Sequence, residues 1–401
     1  MAPLYVGACD WGEGRGSTAD RLVAMVRTRR QGVAFTVVVT VLVALGALPM
    51  LLILALAGAP GSVLLATVLA ALPVGPLVGC YLWLDRYEPE PKSLLALGLL
   101  WGGFVATAGA LLVQGIGGLV IGVSEVASLA IVAPLTEEAG KGAFLVLLLW
   151  LRRAELDGIL DGIVYAGMVG IGFAFVENIL YLAAAYDGTD GMGPGGTEAV
   201  TATFVVRCLF SPFAHPLFTT FIGIGVGIAV TSRSGAVRFL APLGGYVLAV
   251  LAHGLWNGST VFGLGSFVVV YLVLMVPALV GMFALAFWAR RAEQRMLGAA
   301  LGDAAQRGLL PATDIGWVVD LRARRTARAF ARRHGGREGE QAMRVYQQAA
   351  IELGFLHHRY LRGTPPPDFA VRGQEHVLRI SAVRPSIAFP GQVVPTRMSA
   401  R

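Results

Sequence analysis

The chain has 401 residues, of which 56% are hydrophobic and only 14% are charged, and its formal net charge is +7 at pH 7. This composition is far too apolar for a water-soluble globular protein, which excludes a soluble enzyme and indicates a chain embedded in a bilayer. The positive charge comes with no groove-reading motif, so we expect no nucleic-acid partner and assign it to segments that face anionic lipid headgroups.

Eight apolar segments follow the first 32 residues, and each is long enough to cross about 30 Å of hydrocarbon as a helix. They are approximately residues 33–57, 62–84, 94–122, 126–151, 158–184, 200–231, 237–262 and 266–289. The sequence therefore predicts an all-α, polytopic membrane protein with about eight transmembrane helices. Residues 1–32 have no apolar core followed by a small-residue cleavage site, so we expect no cleavable signal peptide and a first span that directs insertion.

The loops of this bundle differ in charge between its two sides. With a cytoplasmic N-terminus, the cytoplasmic loops receive basic residues such as Arg86, Arg152 and Arg233. The opposite loops contain no Lys or Arg, and they lie near residues 58–61, 123–125, 185–199 and 263–265. This asymmetry predicts a multi-pass protein of the bacterial plasma membrane with both termini in the cytoplasm.

The residues after Trp288 have a different character. Residues 290–362 are rich in Arg, Ala, Glu and Gln, with apolar residues at helical spacing, which predicts two or three amphipathic cytoplasmic helices. From GTPPPDF at 363 onward no period is visible, so we expect residues 363–401 to be loosely ordered. The predicted domains are thus an N-terminal segment 1–32, a transmembrane domain 33–289, this helical region and the tail.

Polar and ionisable residues interrupt several predicted spans. They are Glu137, Glu138, Lys141, Glu177, Arg207, His215, His253 and Asn257. A charge at mid-span costs roughly 2.5–3.5 kcal/mol, so such groups are kept for pairing or for chemistry. Glu137 and Lys141 are spaced to pair on one helix face, and Arg207 could simply bridge to Glu177. Counted from the span ends, the polar groups reach overlapping depths, which favours one shared cavity reached by water.

Local spacing supports that cavity. His253 and Asn257 are four residues apart, so they project from one helix face and two donors could hold an oxyanion together. Pro212 and Pro216 bracket His215, which predicts a kinked helix at that histidine.

Four motifs on successive predicted helices carry a resemblance to a known family. They are EEAGK at 137–141, FAFVEN at 173–178, the histidine at 215 and HGLWN at 253–257. In this order they resemble the PrsW family of intramembrane proteases, over about residues 33–290, and DRYEPEP at 85–91 is similar to that family as well.

The family is distantly related to CAAX prenyl protease 2 and the bacteriocin-processing membrane proteases, whose pattern is EExxxR, FxxxH and HxxxN. This chain departs from that wider pattern at two positions. Lys141 stands one residue earlier than the arginine, and Glu177 replaces the histidine.

The resemblance implies an intramembrane endopeptidase that hydrolyses peptide bonds of membrane-anchored proteins, as in site-1-type cleavage of an anti-sigma factor. The predicted catalytic residues are Glu137, Glu138, Lys141, Glu177, His215, His253 and Asn257. Amide hydrolysis needs an activated water, a stabilised oxyanion and a proton for the leaving amine. Glu137 or Glu138 is the expected base, tuned by its neighbour and by Lys141. His253 and Asn257 are the expected oxyanion donors.

Metal dependence stays open at this point. Members of the family are often described as metalloproteases, and Glu177, His215 and His253 offer the carboxylate and two imidazoles that suit a catalytic Zn²⁺. No HExxH motif is present, however. The related prenyl proteases suggest a competing scheme that uses the glutamate and the histidines without a metal.

Two other classes of function use buried ionisable groups. Transporters build proton relays and substrate sites from them, although the eight segments show no inverted repeat. A non-catalytic membrane scaffold would keep the fold, but the complete polar set argues against it.

Overall fold

The computed structural model describes residues 18–86, 89–189, 193–366 and 368–391, leaving aside the side chains of 18–30, 119, 121, 125 and 154. Within these ranges the chain is helical and has no strand, which confirms the all-α prediction. The chain forms two compact units, and one of them, Gln31–Ala289, contains every residue predicted for the site. The second unit includes the described residues from Arg290 onward.

The helices that lie wholly or partly in the first unit follow one another with short connections. They are α1 (Thr18–Leu56), α2 (Pro60–Ala71), α3 (Val74–Leu84), α4 (Lys92–Leu100), α5 (Thr107–Ile116), α6 (Glu125–Ala127), α7 (Ala133–Leu151), α8 (Ile159–Asp187), α9 (Thr197–Phe204), α10 (Ala214–Thr231), α11 (Gly235–Val261), α12 (Leu264–Val270) and α13 (Val276–Gln306). Wider π-helical turns join several of them, among them Ser128–Val132 before α7 and Val205–Phe210 after α9. Such turns interrupt the regular backbone ladder and often occur at functional sites.

Seven stretches among the described residues are long and apolar enough to cross a membrane. They are Gln31–Leu56, Pro60–Leu84, Lys92–Ile116, Ile159–Asp187, Thr197–Thr231, Gly235–Val261 and Leu264–Gln306. These helices confirm a polytopic membrane protein. The remaining predicted segment, 126–151, is also helical, and its α7 carries three ionisable residues, Glu137, Glu138 and Lys141.

The most buried helix of the unit is α8, which packs against α2, α3, α4, α9 and α10. Glycines allow this packing where backbones meet. A Cβ atom on Gly162 would lie 2.0 Å from the carbonyl oxygen of Gly223, and one on Gly172 would lie 1.9 Å from that of Leu99. No larger residue fits at these positions, so the glycine-rich sequence of α8 sets its close approach to α10 and α4.

The start of α10 is positioned in the same way. The chain leaves the π-helical turn Val205–Phe210, breaks its helix over residues 211–213 and begins α10 one residue before His215. A Cβ atom on Gly170 would lie 2.6 Å from Cα of Pro216, so this glycine lets the first turn of α10 touch α8. This break contains Pro212 and immediately precedes the helical turn with His215, which agrees with the kink predicted there.

The second unit contains α14 (Ile315–Val319), α15 (Leu321–Leu361) and α16 (Phe369–Val383), and α15 is interrupted at Gly336, where φ is 63°. Residues after 363 were expected to be loosely ordered, but the structure differs: α16 lies in this region and packs on α15. Its apolar residues Phe369 and Ile380 are buried, which supplies the order that composition did not predict. Residues 392–401, and residues 1–17 at the other end, lie outside the described ranges.

Candidate active site

Four helices bring six of the seven predicted residues into one buried cluster. Glu137, Glu138 and Lys141 come from α7, and the other three residues come from α8, α10 and α11. Glu138 and Lys141 are 0% exposed, and the histidine of α11 is 1% exposed. The cluster is therefore shielded from surrounding lipid, which buried charges in a membrane protein require.

The ammonium of Lys141 lies at the centre of the cluster. Its Nζ atom lies 2.8 Å from Oε1 of Glu138 and 3.5 Å from Oε2 of Glu137. The same atom lies 3.0 Å from Nδ1 of His215 and 3.7 Å from the ring centroid of Phe173. One cation thus compensates two adjacent carboxylates, which would otherwise repel each other in a medium of low dielectric constant.

The partners of the two histidines fix the position of each ring proton. Nδ1 of His253 lies 3.0 Å from Oε1 of Glu138, and since an ionised carboxylate only accepts, this nitrogen donates. The other ring nitrogen of His253, Nε2, lies 3.8 Å from Oε2 of Glu137.

His215 has the opposite arrangement. Its Nε2 atom lies 2.7 Å from Oε2 of Glu177 and donates to that carboxylate. Its Nδ1 atom faces the ammonium of Lys141, which has only donors, so Nδ1 accepts. Each histidine is therefore held by one carboxylate, and the Nδ1 lone pair of His215 lies inside the cluster.

Aromatic rings close the cluster on its apolar side. The ring of Phe218 stacks on His253 with centroids 4.9 Å apart, and the ring of Phe173 lies 5.0 Å from that of His215. The two imidazoles meet edge to face with centroids 5.1 Å apart. These contacts leave the imidazole rings little freedom to rotate, which keeps their lone pairs in place.

The two adjacent glutamates of α7 are not equivalent. Glu138 accepts hydrogen bonds from Lys141 and His253, and its second oxygen accepts one from Thr219 Oγ1 at 3.1 Å. Glu137 has longer contacts, at 3.5 Å to Lys141 and at 3.4 Å to Nε2 of Gln114, and it is 5% exposed. Glu138 is thus saturated with partners, whereas Glu137 keeps the capacity to accept a proton.

Three further polar residues complete the surroundings, and the sequence did not assign them to the site. Thr219, one turn after His215, donates a hydrogen bond to Glu138, and Gln114 of α5 donates one to Glu137. Asn178 accepts a hydrogen bond from Arg207 at 2.7 Å. The sequence offered one signal for Thr219, its i,i+4 spacing from the histidine. Gln114 is an isolated amide in an apolar segment, and nothing local to it indicates a partner 23 residues away.

Arg207 forms the bridge to Glu177 that was one of the options at the sequence level. Its Nη2 atom donates to Oε2 of Glu177, and its guanidinium lies 3.9 Å from the ring centroid of Tyr181. Glu177 therefore accepts from two donors, Arg207 and His215, with the same oxygen.

The side-chain amide of Asn257 hydrogen-bonds to a residue outside the cluster. Its Nδ2 atom donates to the carbonyl oxygen of Leu129, at 3.1 Å. This carbonyl belongs to the π-helical turn Ser128–Val132 that precedes α7. The oxyanion role expected of Asn257 thus finds no support in its hydrogen bond, which instead ties α11 to that turn.

Three residues of the cluster could hold a metal ion. Ligand atoms of Glu137, His215 and His253 all lie within 4.8 Å of one another. The sequence analysis combined the two histidines with Glu177 as ligands. In the structure Glu177 instead lies on the Nε2 side of His215 and accepts a hydrogen bond from that nitrogen. A carboxylate and two imidazoles suit a catalytic divalent ion, and each imidazole has the supporting carboxylate typical of such sites. The donor set therefore fits a metal.

The chain is similar to known membrane proteases. The family model described as "PrsW family intramembrane metalloprotease" matches residues 90–282, which contain the whole cluster. The curated relative named Protease PrsW from Geobacillus kaustophilus is 30% identical over 173 residues, which cover 43% of this chain and 69% of that protein.

Two further proteins of that name match shorter regions. The one from Oceanobacillus iheyensis is 31% identical over 125 residues, covering 31% of this chain and 50% of the relative. The one from Shouchella clausii is 30% identical over 144 residues, covering 36% and 58%. The chain thus spans about half to two thirds of the length of the curated relatives it matches. No solved structure matches it.

Proposed function

Because the chain belongs to the PrsW family of intramembrane metalloproteases, we propose that it hydrolyses peptide bonds of membrane-anchored proteins. The observation that carries this proposal is the convergence of Glu137, His215 and His253 from three different helices, with ligand atoms within 4.8 Å of one another. Scattered structural hydrogen bonds would not require acidic and imidazole groups at one buried point.

Glu137 is the proposed general base. It takes a proton from the attacking water, whose oxygen bonds to the carbonyl carbon, and it later gives that proton to the leaving nitrogen as the C–N bond breaks. Glu137 is suited to this exchange because its hydrogen bonds are longer than those of Glu138. Glu138 instead holds His253 in position, and Lys141 offsets the negative charge that develops on the substrate oxygen.

Zn²⁺ is the proposed metal, and Glu137, His253 Nε2 and His215 Nδ1 would hold it, with Lys141 Nζ giving up its hydrogen bond to that nitrogen of His215. A bound zinc ion would lower the pKa of water and polarise the carbonyl group. The two oxygens of Glu137 face different partners: Oε2 lies near Lys141 and His253, and Oε1 faces Gln114. Oε2 is therefore the oxygen suited to ligation, and Oε1 is the one suited to receive the proton.

The depth of the cluster supports a substrate cleaved in the outer half of the bacterial plasma membrane, given the predicted cytoplasmic termini. The path along α11 from His253 to its end at Val261 is about 12 Å, and the path along α8 from Glu177 to Asp187 is about 15 Å. A helical single-span protein would present a peptide bond at this depth about 8–10 residues from the outer end of its span. The proposed substrate class is an anti-sigma factor or a similar anchored regulator.

Substrate trapping tests the proposal. Native membranes that contain the wild type or Glu137→Gln are compared by proteomics, with Glu198→Gln as the control because Glu198 is an exposed carboxylate of α9. We expect one or a few single-span proteins to remain at full length, and to co-purify with the chain, only in Glu137→Gln.

The proposal is wrong if no membrane protein differs in length between the wild type and Glu137→Gln. A solute flux that proteoliposomes lose with Glu137→Gln, in the absence of any protein substrate, would point to a transporter instead.

A further inference from the structure

The first half of α15 carries a dense run of positive charge. Residues 321–337 contain seven arginines and no aspartate or glutamate, so their formal charge equals the +7 of the whole chain. Five of these arginines are exposed, and they are Arg322, Arg325, Arg332, Arg333 and Arg337. Among the described residues Arg332 pairs with Glu340 at 3.5 Å, and the other four exposed arginines form no ion pair. The fold therefore does not neutralise this charge, and like charges held so close favour an anionic partner.

The exposed arginines of this run share one side of the helix. At about 100° per residue, Arg322, Arg325 and Arg333 lie within roughly a quarter of its circumference. Ala327 and Ala331 lie on the opposite side and are buried. A broad anionic surface can thus contact several guanidinium groups at once, and each of them donates to phosphate oxygens through a planar fork.

Gly336, where φ is 63°, folds α15 into a hairpin. The Nε atom of Arg328 donates to Oε1 of Gln347 at 2.7 Å, across 19 residues of chain. Nearer the glycine, Nη1 of Arg332 lies 3.5 Å from Oε2 of Glu340, only eight residues later. Contacts whose sequence separation shrinks toward one point are those of two antiparallel arms. The tip of the hairpin is therefore at the glycine, and exposed arginines lie on both sides of it.

The second arm of the hairpin runs alongside α13, the helix that continues from the last apolar span. Gly354 lies against Leu297, since a Cβ atom added to the glycine would clash with that side chain. Further along both helices, Nε2 of His357 lies 2.6 Å from Oδ2 of Asp303. The residue numbers of the contacts rise together, so the two helices run in the same direction. Toward lower numbers α13 leads to Arg290, where the apolar run ends, and α15 leads to the hairpin tip, which therefore points toward the membrane end of α13.

We propose that the tip and the arginine side of this hairpin bind the anionic phospholipid headgroups of the leaflet from which α13 emerges. The helix α13 holds the hairpin beside that leaflet, because Leu297 follows Arg290 by only about 10 Å of helix. A basic segment beside a span gains from the negative surface potential of an anionic leaflet, which decays within a Debye length. A nucleic acid or an acidic protein would meet the same charge, but the chain does not hold either of them nearby.

The proposed docking does not rest on the peptidase function, since no residue of the buried cluster takes part in it. It also gives a specific place to the positive charge of the chain, which composition alone assigned only to segments that face lipid headgroups.

Fluorescence quenching in nanodiscs tests the inference with the full-length protein. A fluorescent amino acid replaces Ala329, an exposed residue four positions from both Arg325 and Arg333, which avoids labelling of the three cysteines. Every nanodisc contains a trace of phosphatidylcholine with a nitroxide on its headgroup as the quencher. The other lipid is phosphatidylcholine alone, or phosphatidylcholine and phosphatidylglycerol in equal amounts. We expect strong quenching only with phosphatidylglycerol, and we expect added salt to reverse it.

The double variant Arg333→Gln/Arg337→Gln measures the contribution of the arginines. Each basic residue close to an anionic surface shifts binding about fivefold, so the ratio of docked to undocked hairpin should fall about 25-fold. Arg333→Lys/Arg337→Lys should keep most of the quenching, because the charge remains. The control is Arg307→Gln/Arg379→Gln, which removes two exposed arginines that pair with acidic residues one helical turn away. This control should be quenched like the wild type.

The inference is overturned if phosphatidylglycerol does not increase the quenching of the wild type. It is also overturned if Arg333→Gln/Arg337→Gln and the control lose quenching by the same amount. A hairpin that stays unquenched with phosphatidylglycerol, but whose fluorescence responds to polyglutamate or to duplex DNA in phosphatidylcholine nanodiscs, would assign these arginines to a protein or nucleic-acid partner instead.

Discussion

Replacing each of the two adjacent glutamates by glutamine should separate chemistry from stability. Glu137→Gln removes the proposed base but leaves Lys141 paired with Glu138 at 2.8 Å. We therefore expect a folded protein that does not cleave. Glu138→Gln removes the carboxylate nearest to the ammonium of Lys141, which is 0% exposed. It also removes the carboxylate that accepts a hydrogen bond from Nδ1 of His253.

The magnitude follows from the buried pair. Breaking a buried ion pair by removing one partner costs about 3–5 kcal/mol, and without the Glu138 carboxylate Lys141 would keep only the longer contact to Glu137, at 3.5 Å. With about 2–4 °C per kcal/mol for a unit of this size, the Tm of Glu138→Gln should fall by roughly 6–20 °C. The longer contact of Glu137 to Lys141, 3.5 Å, predicts a much smaller shift for Glu137→Gln.

Thermal unfolding of both purified variants in one detergent, followed by intrinsic fluorescence, measures the difference. Cleavage of a membrane-anchored substrate is then assayed below both transitions. Equal Tm values for the two variants would refute the assignment of unequal roles to the two glutamates. The assignment would also be refuted if Glu137→Gln cleaved the substrate fully while a stable Glu138→Gln did not cleave it.

Three further predictions concern packing, pH and metal. Gly170→Ala should lower the rate of cleavage, because its Cβ atom would lie 2.6 Å from Cα of Pro216 and push the start of α10 away. The control is Gly109→Ala, which has open space around the new Cβ atom and should keep the wild-type rate in the same assay. Burial raises the pKa of Asp85 to about 7, against the hydrogen bond it accepts from Glu90 N, so the folded state favours the protonated acid. Stability relative to Asp85→Asn should therefore fall as pH rises from about 4 to about 7, by up to about 1.4 kcal/mol per pH unit, and parallel Tm profiles of the two proteins would contradict this. Chelation should abolish cleavage, and added Zn²⁺ should restore it. Elemental analysis of the holoprotein should find about one bound ion per chain. Full activity after exhaustive chelation would contradict a role for a metal.

The sequence predicted much of this protein because its signals are local. Long apolar segments required membrane helices, and the family was recognisable from motifs on four of them, a resemblance that the match over residues 90–282 confirms. The i,i+4 spacing of Glu137 and Lys141 predicted their contact correctly.

Other contacts depend on how helices meet, and the sequence could not supply them. Glu177 was predicted as a metal ligand because one carboxylate and two histidines suit a catalytic Zn²⁺, but in the structure its Oε2 atom accepts from Nε2 of His215, at 2.7 Å. Asn257 shares a helix with His253, yet its amide meets the carbonyl of Leu129 from another segment. The helix α16 likewise depends on packing against α15, which residue composition does not reveal.

The most direct test is hydrolysis by purified protein in proteoliposomes that contain a trapped single-span substrate, carried out in ¹⁸O-labelled water. Mass spectrometry of the fragments then reads the new carboxyl terminus. We predict ¹⁸O at one terminus formed in the outer half of the membrane with the wild type, and no fragment with Glu137→Gln. A labelled fragment made equally by both proteins, or none made by either, would contradict the assignment of hydrolysis to this cluster.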